Sequence, residues 1–324
     1  MAQISQSSNA ELRQNALAVL CEELRNPYSS AGVVQAGVVS ILNGLSLKPN
    51  DTGTREAATK ALSALSIDSN GRSSMIESGT ALATLPCLSD SSSVVRSNAY
   101  DCLQSLSTLS SSGVTALVAA GYSEVCVTKS GDEEEELRHL PLQLLYNCIK
   151  NEEGLAAALS AGAVETCIQN LARTLPSLVK THAAATLGFL CFADSAKVAA
   201  IQGDAVPMLA ELLDDDYWKV RASAAGALMS IIQTDAGKKA LNTAPNCVAK
   251  LITLLKDPNL SVKLNVLKTI ACAAVHPEAR REMRDSSDCL PVIHQIMDDS
   301  SGGGEEAFLG KHAEIAREAV LWKP

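Results

Sequence analysis

One fixed period runs through this 324-residue chain. Basic residues stand at Arg13, Arg55, Arg96, Arg138, Lys180, Arg221 and Lys263, in steps of 42, 41, 42, 42, 41 and 42. Seven positions beyond each comes Leu20, Leu62, Leu103, Leu145, Leu187, Leu228 or Ile270. A glycine column keeps phase with them at Gly37, Gly79, Gly121, Gly162 and Gly203, in steps of 42, 42, 41 and 41. The next step falls on Ala244-Pro245-Asn246, which keeps the break without the glycine. Such self-similarity marks a repeat array. No unit buries its apolar face alone, and stacked neighbours close one core between them.

Each unit reads as three helical stretches. After the glycine, an apolar-periodic run such as 205–213 predicts a middle helix. A polar turn follows, as in LSDSSSVV, LDDDYWKV and LKDPNLSV. A long helix then begins near the basic residue. Its early turns carry Ala57, Ala58, Ala99, Ala183, Ala184, Ala224 and Ala225, so neighbouring helices can approach closely. Its later turns carry Leu and Ile for the core. A shorter lead helix runs to the next glycine, which is free to take the left-handed conformation that ends a helix. Composition agrees with an all-helical chain: 47% of residues are apolar but only 3% aromatic, and the apolar residues are chiefly helix formers.

This period and pattern resemble the armadillo repeat. The resemblance implies an all-α, right-handed armadillo solenoid with a period of 41–42 residues. One continuous domain is expected over 1–324. It comprises a partial N-terminal repeat at 9–37, six repeats at 38–298, and a loop plus C-terminal capping helix at 299–324. The loop is the Ser300-Ser301-Gly302-Gly303-Gly304 stretch.

Charge and motifs exclude several functions. The net charge of −9, with pI near 5.1, argues against nucleic-acid binding, which needs a basic face. The N-terminus MAQISQSSNAELRQ has no signal region, and no run of 18 apolar residues predicts a membrane span. Ten cysteines are scattered singly without a C-x-x-C, which points to reduced thiols in an intracellular setting and to no metal site. Phosphate-loop, nucleophile-elbow and zinc-protease motifs are absent, so neither catalysis nor a cofactor is expected. Cys148 and His182 form a nominal nucleophile–base pair, but their spacing does not favour it. The acidic run at 132–136, DEEEE, has two readings: a solvated turn favouring the next helix start, or a contact for a basic partner.

The armadillo resemblance implies protein binding along the long helices. Nuclear-import adaptors of this fold place a Trp and, four residues later, an Asn on that helix. Five residues beyond each basic position this chain has Lys60, Asp101, Gln143, Ala185, Gly226 and Lys268. Nine beyond, it has Ala64, Ser105, Asn147, Phe189, Ser230 and Cys272. With one Asn and no Trp in those columns, an extended-peptide import receptor is not expected. Gln143, Asn147 and Phe189 are the candidate contacts on this face. Tyr217 and Trp218 are two further candidates, adjacent aromatics in a chain with few. The positions equivalent to Trp218 hold Thr52, Ser93, Glu135, Ser177 and Leu260, so the repeat does not require an aromatic there.

The C-terminal third resembles more narrowly the radial-spoke armadillo family of motile cilia. The likeness rests on AAGALMSIIQTDAGKKAL (224–241), LITLLKDPNLSVKLNVLKTIACAAVHPEARREM (251–283) and the ending AREAVLWKP (316–324). Family members close on an aromatic-Lys-Pro tail, which makes Trp322 the sixth candidate. The resemblance implies a non-catalytic scaffold holding radial-spoke subunits, in the cytoplasm and cytoskeleton, at the axoneme of cilia or flagella. Direct tubulin contact is not indicated by the net charge. A soluble armadillo regulator of Hsp70 nucleotide exchange, or another cytosolic adaptor, is the alternative.

Overall fold

The structure, a computed structural model, describes residues 9–26, 30–48, 50–300 and 304–323. All regular elements among them are helices, with no strand. Residues 301–303 of the expected loop, and Pro324, lie outside the described residues. The chain divides into two compact units, Met1–Ala158 and Leu159–Pro324.

In the first unit the long helices are Ala10–Glu23, Thr52–Ser66, Ser93–Leu109 and His139–Cys148. The lead helices Ser69–Glu77 and Ser111–Ala119 run to Gly79 and Gly121, and the middle helices begin just after those glycines. Polar side chains start the long helices as the turns predict. Asp51 accepts from Thr54 N at 2.9 Å, and Ser92 caps Val95 N. In the second unit the long helices are Ser177–Leu190, Trp218–Ile231, Leu260–Ala273 and Glu305–Leu321. The last of these packs on Leu260–Ala273, as one long helix packs on the next elsewhere in this unit. Leu62, Leu103, Leu145, Leu187, Leu228 and Ile270 are all buried to within 1%. The small residues bring backbones together as expected: a Cβ on Gly188 would lie 3.1 Å from Ala227 Cα.

The basic column has a structural cause. Five of its seven cations bridge to an acid in the turn before the next long helix. Arg55 Nε meets Asp90 Oδ2 at 2.7 Å, Arg96 meets Glu133 at 3.0 Å and Arg221 meets Asp257 at 2.7 Å. Arg13 pairs with Asp51, and Lys180 with Asp215, in the same way. The same side chains also hold their own turn through its carbonyls: Arg55 Nη1 donates to Asn50 O, Arg96 Nη1 to Asp90 O and Arg221 Nη1 to Asp215 O. Arg138 keeps only this half, donating to Glu133 O. The turn that follows it, LARTLP, holds no acid. The acidic run thereby gains a role outside both sequence readings. Its Glu133 is 5% exposed and serves as the counter-ion of Arg96, which Glu134 also meets at 3.0 Å.

The left-handed position differs from the expected column in one repeat. Gly37, Gly79, Gly121 and Gly162 have φ between 67° and 86°. Gly203 does not; its φ is −88°, and the neighbouring Asp204 takes the left-handed turn at 57°. Asn246 does the same at 55°, supplying the step that lacks a glycine. Asp and Asn tolerate this conformation better than other side chains because their short polar groups bond locally. The true steps are therefore 42, 42, 41, 42 and 42.

A second glycine column emerges inside the lead helices. Gly71, Gly113, Gly154 and Gly237 each sit under a carbonyl at the end of the preceding long helix: Leu65, Leu106, Cys148 and Ile231. A Cβ at any of them would lie 2.0–2.3 Å from that oxygen. Ala196 and Ala279 hold the same register in the other two repeats.

Candidate functional site

Tyr217 and Trp218 open the long helix Trp218–Ile231, with Tyr217 at its N-cap. Both are half-buried, their ring centroids 6.4 Å apart. Lys219 lays its ammonium over both faces, 5.9 Å from the Tyr217 centroid and 5.7 Å from that of Trp218. The three aspartates before them have structural duties. Asp215 binds Lys180 and caps Tyr217 N, Asp214 pairs with Lys250 at 2.7 Å, and Asp216 O receives Arg221. The aromatic pair is thus fixed on a rigid frame with part of each ring open.

The other candidates fall into different settings. Gln143 is half-buried on His139–Cys148. Asn147, one helical turn on, is 4% exposed. Its amide donates to Ser107 Oγ at 3.0 Å and Thr108 Oγ1 at 3.1 Å, while its oxygen accepts from Lys150. Asn147 therefore ties two long helices of the first unit together. Phe189 is half-buried in the second unit and meets Phe192 edge-to-face at 5.2 Å. Phe192 is 60% exposed. The sequence reading missed it, although it stands twelve beyond Lys180 in a register that also leaves Ile67 and Val275 exposed.

Trp322 ends the helix Glu305–Leu321 and is 55% exposed. Its indole lies on the Arg280 guanidinium, 4.8 Å from centroid to Cζ. With Ala274, Val275, Ile315, Glu318 and Ala319 they line a pocket of about 360 Å³. Arg280 is 4% exposed. Its Nη1 donates to Ala274 O at 2.6 Å and Val275 O at 3.3 Å, capping the end of Leu260–Ala273. Its Nε has no hydrogen-bond partner.

Nucleophilic and metal chemistry find little support. All ten cysteines are free. Burial pushes the Cys148, Cys191 and Cys247 thiols up to about 12, which leaves them protonated and inert at neutral pH. Among the described residues, no group of three His, Cys, Asp or Glu side chains could hold a metal ion. No helix there is long and apolar enough to cross a membrane.

The HEAT repeat family pattern matches residues 205–234. No curated protein matches the sequence. Solved structures do. The crystal structure of one engineered protein has a TM-score of 0.82 at 23% identity, covering 98% of this chain and 77% of its own. A second engineered protein gives 0.65 at 25% identity, covering 74% and 96%. A structure of computationally designed armadillo repeat proteins for modular peptide recognition gives 0.61 at 22% identity, covering 74% and 98%. With the helix order and the in-phase columns, these likenesses establish the fold: an all-α repeat solenoid of the armadillo and HEAT type.

Proposed function

We propose that the chain is a non-catalytic protein-interaction scaffold and a component of the axonemal radial spoke of motile cilia or flagella. The fold suits a scaffold, since repeat solenoids of this type generally present surfaces to other proteins and do not catalyse reactions. The spoke assignment is carried by the sequence likeness of 224–241, 251–283 and 316–324 to the radial-spoke armadillo family. Its partners are then other spoke subunits, and its place the cytoskeleton of the axoneme. The net charge of −9 does not favour direct tubulin contact.

The test is localisation of a tagged chain, followed by salt extraction of isolated axonemes. Axonemal signal that extracts with spoke proteins is expected. A diffuse cytosolic signal absent from axonemes would sink the spoke assignment. Capture of Hsp70 with release by ATP would favour the nucleotide-exchange alternative.

Within this reading the exposed parts of Tyr217 and Trp218 contact a partner. Trp218→Ala is expected to weaken co-extraction or pull-down at least tenfold, as loss of an aromatic anchor does. Its melting temperature should fall by only a few degrees, because sibling repeats fill this position with Thr52, Ser93 or Ser177. A large thermal loss with unchanged binding would make the pair a packing device.

A further inference from the structure

Cations stand at the fourth position of four lead helices, at Arg72, Lys197, Lys238 and Arg280. Arg72, half-buried, donates to Ser66 O and Ile67 O, while the two lysines have a counter-ion. Lys197 meets Asp194 at 2.8 Å and Lys238 meets Asp235 at 3.0 Å, each pair three residues apart. Arg280 occupies the same register in the helix Pro277–Asp285, but Pro277 stands where the acid would be. Among the described residues no carboxylate lies within ion-pair distance of Arg280, although its side chain is as buried as those of the paired lysines. A guanidinium held out of water without an anion is costly. This one borders an open pocket whose other walls are mostly apolar: Val275 from the turn after Leu260–Ala273, Ile315 from the helix Glu305–Leu321, and the Trp322 indole laid over the cation itself.

We propose that this pocket binds the free C-terminus of a partner protein that ends in a large apolar residue, with its carboxylate on Arg280. The proposal rests on the protein-interaction reading above. One terminal residue supplies both complements at once, an apolar side chain and an adjacent anion. A space of about 360 Å³ holds one or two such residues. An internal acidic residue would bring backbone N–H and C=O groups in from both sides. The side chains of the lining offer them only Arg280, Glu318 and the Trp322 indole N–H as polar partners, too few for both flanks of a through-running backbone.

The test uses the full chain carrying Trp218→Phe, so that Trp322 is the only tryptophan reporting. The probes are Gly/Ser hexapeptides closing on a single Leu or Phe, made as the free acid, as the C-terminal amide, and as an amidated twin with an internal Glu beside the apolar residue. The free acid is expected to shift Trp322 emission saturably. The amide and the internal-Glu twin should bind at least roughly tenfold more weakly, since each lacks the terminal charge-assisted bond. Pro277→Asp restores the acid that Lys197 and Lys238 possess, at a helix position where Asp is well tolerated. It should cut free-acid binding by a similar factor, while Pro277→Ala should leave it unchanged. No saturable shift, equal affinity for acid and amide, equal affinity for the internal-Glu twin, or indifference to Pro277→Asp would each overturn the proposal. Axonemal incorporation of the chain with Trp218 intact separates the two readings. A chain that assembles in the axoneme but ignores the free-acid probe refutes the pocket alone. One that binds the probe but stays out of the axoneme refutes the spoke alone.

Discussion

Asp90→Ala is expected to destabilise the unit Met1–Ala158 by about 3–5 kcal/mol, the usual result of removing one member of a buried ion pair. Asp90 is 6% exposed and Arg55 is 5% exposed. Two parallel bonds join them, Nε to Oδ2 at 2.7 Å and Nη2 to Oδ1 at 3.0 Å. Asp90 also accepts from Ser92 N at 2.9 Å, so its loss frees a turn as well. The remaining guanidinium keeps only Asn50 O and Thr52 Oγ1 as acceptors, with no carboxylate bonded to it. Urea unfolding followed by helical circular dichroism reads the loss. A drop below about 1 kcal/mol would place the pair among the weak surface bridges. The double variant Arg55→Met with Asp90→Leu should recover most of the stability, because apolar isosteres of a buried pair are close to neutral. Acidity gives a second check. The Arg55 guanidinium holds the Asp90 carboxyl below the usual carboxylate range. A depressed folded value means the contribution is complete above the unfolded value of about 4 and fades as pH falls below it. The gap between wild type and Asp90→Ala should therefore narrow only under acidic conditions.

These ion pairs show what the sequence made legible. The basic column was visible because the same charge recurs at a fixed step. Its cause was not, because the matching acids are Asp51, Asp90, Glu133, Asp215 and Asp257, lying 35 to 38 residues beyond their cations and changing type. The turn column was legible as glycine, and that emphasis misplaced one member: Asp204 carries the positive φ beside Gly203. Scarcity made Tyr217, Trp218 and Trp322 conspicuous. Position alone singled out Asn147, since a column cannot reveal that an amide already has Ser107, Thr108 and Lys150 as partners. Arg280 escaped notice because what distinguishes it is a missing neighbour, a proline where two sibling repeats have aspartate.

The glycines inside the lead helices were the least legible feature, since a glycine there reads simply as a weak helix former. Their steric role makes a strong test. Gly237→Ala is expected to cost the unit Leu159–Pro324 about 2–3 kcal/mol, at the upper end for overpacking. The new Cβ would lie 2.2 Å from Ile231 O, 2.9 Å from Ile231 C and 2.9 Å from Ile232 Cα. All three are backbone atoms at the end of the long helix Trp218–Ile231, so no side chain can rotate away. The lead helix Asp235–Thr243 must instead back off, straining Thr234 Oγ1, which caps it by accepting from Gly237 N at 3.1 Å. At about 2–4 °C per kcal/mol for a unit of this size, the melting temperature should fall by roughly 5–10 °C. Ala196→Gly, the reverse change at the same register, removes a methyl from a repeat already built around it. It should cost only about 1 kcal/mol, from added chain entropy. A gain in stability from Gly237→Ala, beside a loss from Ala196→Gly, would mean that helix propensity, and not the carbonyl beneath Gly237, governs this position.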